Sequence, residues 1–148
     1  MPGISRKIAL TDEELDELMT SSWNMRIATI GMNDRINLTP MWFGWVNGKI
    51  YFTGRGQKIV NLRRNPSTTL LVDKNERFPE LVGAMFQGTA HVLESADEEA
   101  ADADLEEARM LIGAKYAGPL VMSTFLRQPA TRYSSSKNSA SKMRLPAT

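Results

Sequence analysis

The chain has 148 residues, 42% of them hydrophobic and 24% charged, with a formal net charge of +1 and no cysteine. That length suits one domain around one core, and that composition suits an ordinary globular protein. Without cysteine there is no disulfide, thiolate metal site or Cys nucleophile. The near-balanced charge argues against nucleic acid as a partner. No stretch has the form of a signal peptide, and no apolar run approaches the ~20 residues that span a bilayer. A cytoplasmic protein with no membrane partner is therefore expected.

Thr11-Asp12-Glu13-Glu14 has the form of a capping box, and Leu15, Leu18 and Met19 share one helical face, so a helix is predicted from about Asp12 to Thr20. Trp23 to Ile30 alternates as a strand, and Asn33-Asp34 turns the chain into a second strand from Ile36 to Val46. Asn47-Gly48 between apolar runs predicts a tight hairpin into a third strand, Lys49 to Thr53. Next comes Gly54-Arg55-Gly56-Gln57-Lys58, which combines open backbone, free N–H groups and two cations at the start of a helix predicted over Gln57–Asn65. Such a place can hold a phosphate. Asn65-Pro66 ends that helix.

Thr68 to Lys74 predicts a fourth strand and Leu81 to Glu94 a long fifth, in which Gly83 and Gly88 point to a bulge, a bend or a close backbone approach. Ser95 to Tyr116 reads as one long helix, opened by a second capping box (Ser95, Glu98) and stopped at Gly118-Pro119. Leu120 to Arg127 could form a last strand. From Ser134 the composition is that of a polar tail unable to bury enough surface to order itself. Five or six strands joined by short turns, with helices at the margins, predict an antiparallel barrel with peripheral α. Residues 1–133 form its single domain, and 134–148 form a flexible tail.

Charge is unevenly placed along the chain. Lys49, Arg55, Lys58, Arg63 and Arg64 occur with no acid between them, whereas the run from Asp97 to Glu107 holds seven acids and no base. The acidic run reads as a solvated helix face. Arg63 and Arg64 lie about 100° apart on a helix, so at most one faces a common site. His91, the single histidine, reads as a structural imidazole, and no metal-binding motif accompanies it. G-x-G-x-x-G fails because Ile59 follows Gly54-x-Gly56 at the decisive position, and G-x-x-x-x-G-K-[ST] is absent. Alternation sends Trp42 and Phe43 to opposite faces. With Trp45 they give more aromatic surface than one face of a small barrel encloses, which predicts a homodimer.

Three segments taken together, LTPMWF (38–43), YFTGRGQK (51–58) and NLRRNP (61–66), resemble the flavin and deazaflavin oxidoreductase superfamily. These are split β-barrel, FMN-binding proteins grouped as pyridoxamine 5′-phosphate oxidase-like. The likeness runs from the first helix to about Glu94 and more weakly to Tyr133. It implies a mainly β fold with peripheral α, a split barrel of about six antiparallel strands. It also implies a homodimer with cofactor at the interface and a small-molecule substrate.

By position, the resemblance implies that Thr39, Pro40, Met41 and Trp42 lie along the tricyclic ring. Thr53, Arg55, Gln57 and Lys58 would bind the ribityl phosphate, and Asn61, one turn beyond Gln57, could face the same side. The implied activity is hydride transfer from a deazaflavin, coenzyme F420, to a small organic acceptor. The alternatives are an FMN-dependent pyridoxamine 5′-phosphate oxidase-like oxidase or reductase, and a non-catalytic flavin- or cofactor-binding protein. Pyridoxamine phosphate oxidase proper has a further C-terminal segment that helps hold substrate, where this chain has a polar tail. Many relatives carry Trp where this chain has Tyr133. No catalytic residue and no metal ligand is designated, and a proton would come from water or from a dispensable side chain such as Tyr133.

Overall fold

The computed structural model describes residues 10–74, 82–117, 130–134 and 140–144. Helix α1 (Asp12–Ser21) opens as its sequence demands. The Thr11 hydroxyl accepts the Glu14 N–H at 3.1 Å, the Glu14 carboxylate accepts the Thr11 N–H at 3.2 Å, and Leu15, Leu18 and Met19 are buried. Strand β1 (Met25–Ile30) turns into β2 (Ile36–Met41) through Asn33 and Asp34 at φ 59 and 57, a region their short polar side chains tolerate. Strands β3 (Gly44–Val46) and β4 (Lys49–Thr53) meet at Asn47 (φ 50) and Gly48 (φ 74), the paired positive φ values of a type I′ hairpin. Helix α2 (Gln57–Arg64) leads into β5 (Ser67–Lys74) and the long β6 (Val82–Val92).

The sheet order is β2-β1-β5-β6-β7-β4-β3, where β7 is Ala130–Ser134, and every neighbouring pair is antiparallel. An eighth strand, β8 (Ala140–Arg144), pairs with the first half of β6. Strands β2 and β3 stand at opposite ends of this order, yet only Trp42 and Phe43 separate them in sequence. The sheet therefore curls until its two ends approach, which makes a split barrel of mainly β structure. The single strand expected from Ile36 to Val46 is broken at this corner, because one edge cannot pair with β1 and β4 at once.

Inside the curl lie Met25, Ile27, Met41, Phe43, Ile50, Phe52, Leu70, Val72, Phe86 and Tyr133, covered by α1 and by Ile59 and Leu62 of α2. Each such side chain contributes roughly 1.5–3 kcal/mol through burial. A second cluster of Val46, Tyr51, Leu93, Leu105, Ala108 and Ala130 joins β3 and β4 to helix α4 (Leu105–Ile112). That helix packs closely on Gly44, where a Cβ would stand 3.0 Å from the Ala108 carbonyl oxygen.

The long helix expected from Ser95 to Tyr116 is interrupted. It forms α3 (Ala96–Ala101), α4 and a π-helical turn at Gly113–Ala117, because Asp102 leaves the helical path to enter a buried polar cluster. Only half of its capping box forms: Ser95 accepts the Glu98 N–H, while the Glu98 carboxylate turns to His91 at 2.6 Å. Gly83 and Gly88 make no bulge against β5, whose register runs unbroken from Ser67↔Thr89 to Lys74↔Val82. At Gly83 the close approach is real, since a Cβ there would stand 3.3 Å from the Val72 carbonyl oxygen.

Strand β8 falls in the segment whose composition reads as a tail. Its backbone is placed by the free edge of β6, which composition cannot show. The strand expected over 120–127 and the helix stop at 118–119 lie outside the described residues. Among the described residues no helix is long and apolar enough to cross a membrane.

Candidate functional site

At the end of β4 the chain enters Gly54, and at Gly56 it takes φ 90 as the residue before α2. Gly56 supplies no side-chain cap and its carbonyl takes the Ile59 N–H at 3.1 Å, so the Gln57 and Lys58 N–H groups at the start of α2 look outward for an acceptor. The loop is tightly packed on its inner side. A Cβ at Gly54 would lie 2.9 Å from Lys58 Cε and 3.2 Å from Met41 Cε. Gly54 thus lets the end of β2, the end of β4 and the first turn of α2 close on one another. Lys58 Nζ donates to the Arg55 carbonyl at 3.0 Å, which ties the cation across the loop, and Arg55 itself is exposed. Met41, from the end of β2, thus meets Gly54 and Lys58 of the loop that leads from β4 into α2.

The other expected residues divide. Thr53 and Gln57 flank the loop, half-buried and exposed respectively. On β2, Met41 is buried opposite Met25 and Thr39 is half-buried opposite Ile27, whereas Pro40 is exposed beside Arg26 on the other face. Alternation therefore keeps Pro40 off the surface that Thr39 and Met41 share. Trp42 is half-buried at the corner. Asn61 is fully buried. Its amide donates to Thr29 Oγ1 at 3.1 Å, and its oxygen accepts from Gln57 Nε2 at 2.8 Å and from an Arg64 amino group at 3.3 Å. Asn61 does face the side of Gln57, but as the anchor of α2 on β1.

The aromatic corner is mostly enclosed within one chain. Phe43 is 1% exposed, and Trp45 packs on Phe86 while its indole N–H donates to Asp16 at 2.8 Å. Lys115 donates to the Ser22 carbonyl and stands 4.7 Å from the centre of the Phe43 ring, and burial holds its pKa below the usual lysine value. Tyr133, a possible proton source, is 2% exposed and sits edge-on to Phe86 in the core, away from solvent. His91 is exposed on the outer side of β6, hydrogen-bonded to Glu98 at 2.6 Å.

The acidic run hides one residue that charge patterning misses. Asp102 is buried, accepting the Tyr51 hydroxyl at 2.7 Å and an Arg132 amino group at 2.8 Å. Burial alone would raise its pKa. The hydrogen bonds from Tyr51 and Arg132 outweigh that and hold the carboxyl below its ordinary value. Burial, followed by the bond to Asp102, drives the Tyr51 phenol well above its ordinary value. Beside them Asp104 takes Lys49 and Asn47, both at 2.9 Å, and the Lys49 bond lowers its pKa.

A curled antiparallel barrel with a glycine-flanked basic loop against one strand end defines the split-barrel class. A protein-family model described as pyridoxamine 5′-phosphate oxidase matches residues 11–137, and the chain belongs to that family. No curated protein matches it. Among solved structures, a conserved hypothetical protein of Mycobacterium tuberculosis is 23% identical with a TM-score of 0.81, over 99% of this chain and 95% of that one. A FAD-binding protein of Mesorhizobium loti is 16% identical with a TM-score of 0.68, over 90% and 93%. HutZ, a heme storage protein of Vibrio cholerae, is 12% identical with a TM-score of 0.67, over 89% and 94%. At these identities the likeness is one of fold.

Proposed function

We propose that the chain is an oxidoreductase that holds a phosphorylated tricyclic coenzyme, the deazaflavin F420, and passes hydride to a small organic acceptor. The observation that carries this reading is the meeting of Met41, Gly54 and Lys58, where the backbone is bare, cations are present and a strand end lies alongside. Arg55, Lys58 and the first N–H groups of α2 would hold the phosphate through charge-assisted bonds. Thr39, Met41 and Trp42 would lie along the ring, and Thr53 and Gln57 would flank the phosphate. The redox chemistry belongs to such a coenzyme when bound, while the protein binds and orients it. With Tyr133 in the core and His91 paired to Glu98 on an outer face, the proton for the acceptor comes from water.

The second reading is FMN in the same cradle, as an oxidase or reductase, and its oxidase part is supported by the family description, which names an oxidase. Heme fits less well. The single histidine pairs with Glu98 and stands across from Arg132 on β6–β7, a polar setting for a large apolar plane. The enzyme is proposed to act as a homodimer through the outer face of β2, where Ile36 and Leu38 are exposed. Titrating the purified protein with F420 and with FMN, while following visible absorbance and fluorescence quenching, tests the cofactor. Binding of neither would end the oxidoreductase reading. Binding without turnover of any acceptor would support the third possibility, a non-catalytic flavin carrier.

A further inference from the structure

Arg63 and Arg64 are neighbours in sequence, but the structure gives them different surroundings. Arg63 Nε donates to the Glu94 carboxylate at 2.7 Å. Arg64 reaches the other way, to Asn61 Oδ1 at 3.3 Å, the same oxygen that takes the Gln57 amide at 2.8 Å. Side chains on a helix tilt toward its N-terminus, and this shared acceptor brings the Arg64 guanidinium back beside Gln57, near the first turn. The acceptor is itself fixed. Asn61 is fully buried, its amide is committed to Thr29, and the bare Gly31 backbone lies against it, where a Cβ would stand 3.4 Å from its oxygen. A guanidinium offers five N–H donors in a planar fork. Arg64 engages Asn61 with one amino group, and among the described residues no carboxylate forms an ion pair with it.

We propose that Arg64 is a third cation of the anion cradle, beside Arg55 and Lys58, and that Asn61 is the positioning residue that turns it there. The ligand chemistry it serves is a phosphate monoester dianion. The inference takes its location from the cradle reading above and its argument from the Asn61 hydrogen bonds. An arginine can keep its bond to Asn61 and still present donors to a phosphate oxygen, whereas a lysine ammonium is a compact point charge without that fork.

The test uses the full chain at low ionic strength. Inorganic phosphate is titrated in while the backbone amide signals of Gln57 and Lys58 are followed by NMR, and the titration is repeated with FMN and with riboflavin, which lacks the phosphate. Arg64→Ala should weaken phosphate and FMN about tenfold, or ~1.4 kcal/mol, and leave riboflavin nearly unchanged. Arg63→Ala should bind phosphate like the parent, and Arg64→Lys should recover only part of the loss. Asn61→Ala should lose the same factor, and the double variant Asn61→Ala/Arg64→Ala no more, as coupled residues do.

Because Asn61 is buried, its variants can fail to fold, and the comparison of Arg64→Ala with Arg63→Ala then decides alone. The proposal is overturned if Arg64→Ala binds phosphate like the parent. It is also overturned if Arg63→Ala loses as much, if riboflavin falls in step with FMN, or if the parent binds no phosphate at millimolar concentration. Phosphate binding that depends on Arg64, with neither FMN nor F420 bound, would sink the coenzyme reading and leave this site standing.

Discussion

Gly54 carries more of the candidate site than its size implies, because the space it leaves is filled by Lys58 and Met41. Its substitution is therefore a probe of Lys58. Gly54→Ala would bring a Cβ within 2.9 Å of Lys58 Cε, and a flexible lysine yields before the backbone does. The expected outcome is a folded protein with Lys58 displaced from the loop. Lys58→Ala or Arg55→Ala should each weaken coenzyme binding by roughly 1–3 kcal/mol, the scale of a lost charged hydrogen bond. Gly54→Ala should approach the Lys58→Ala value, and the two together should add little, which calorimetric titration reads directly. Parent-like affinity in both cation variants would move the phosphate elsewhere. His91→Ala and Tyr133→Phe should each cost far less than the ~10²–10⁴-fold that a general acid supplies. A three-decade loss of turnover in His91→Ala, with affinity intact, would make that histidine a catalytic acid rather than a structural imidazole.

At the scale of elements, Asp102 decides how the acidic region folds. Its carboxylate gathers the Tyr51 hydroxyl, the Arg132 guanidinium and, at 3.2 Å, the Asp104 N–H, so the chain leaves the helix between α3 and α4. Asp102→Asn should cost about 1.5–3 kcal/mol, as for a hydrogen bond to a charged group, and lower the melting temperature by roughly 2–4 °C per kcal/mol. The folded carboxyl lies below its unfolded value of 3.8. Its contribution is thus present above about pH 4 and is lost as pH falls through the folded value. The Tyr51 phenol is shifted above its unfolded 10.0, so its contribution is full below pH 10 and lost as pH rises beyond. Melting curves from pH 2 to 11 should therefore slope at both limits in the parent, and Asp102→Asn should flatten the acid slope; an unchanged acid limb would remove Asp102 from this role. Elements set by local chemistry were legible in the sequence: the Thr11 capping box, the Asn47-Gly48 turn, and the Gly54–Lys58 loop with its helix. The break at Asp102, the corner at Trp42–Phe43 and strand β8 were not, because distant hydrogen-bond partners set each of them. Asn61 was placed on the correct helical face, but spacing alone could not show that Thr29 covers it.

At the scale of the whole molecule, the surface left open differs from the one the aromatic residues predicted. Phe43 and Trp45 are engaged within one chain, while Ile36 and Leu38 are 69% and 68% exposed on the outer face of β2. Across the ladder Ile36 stands beside Ile30 and Leu38 beside Ala28, and Pro40 continues the row next to Arg26. Arg26 pairs with Asp73, and exposed Leu71 lies beside it on β5. An apolar row bordered by an ion pair, on the strand that ends the sheet order, has the composition of an interface core with a polar rim. A second copy of the chain is the proposed occupant, and a stable pair needs about 800 Å² from each partner. Light scattering at micromolar concentration should give twice the 16.5 kDa chain mass, and Leu38→Glu combined with Ile36→Glu should return it to one. Trp45→Phe, which removes the bond to Asp16 and trims the ring that packs on Phe86 inside the same chain, should leave the pair intact. A parent that runs as a monomer with coenzyme bound would refute the assembly, and a double variant that stays dimeric would place the interface on another face.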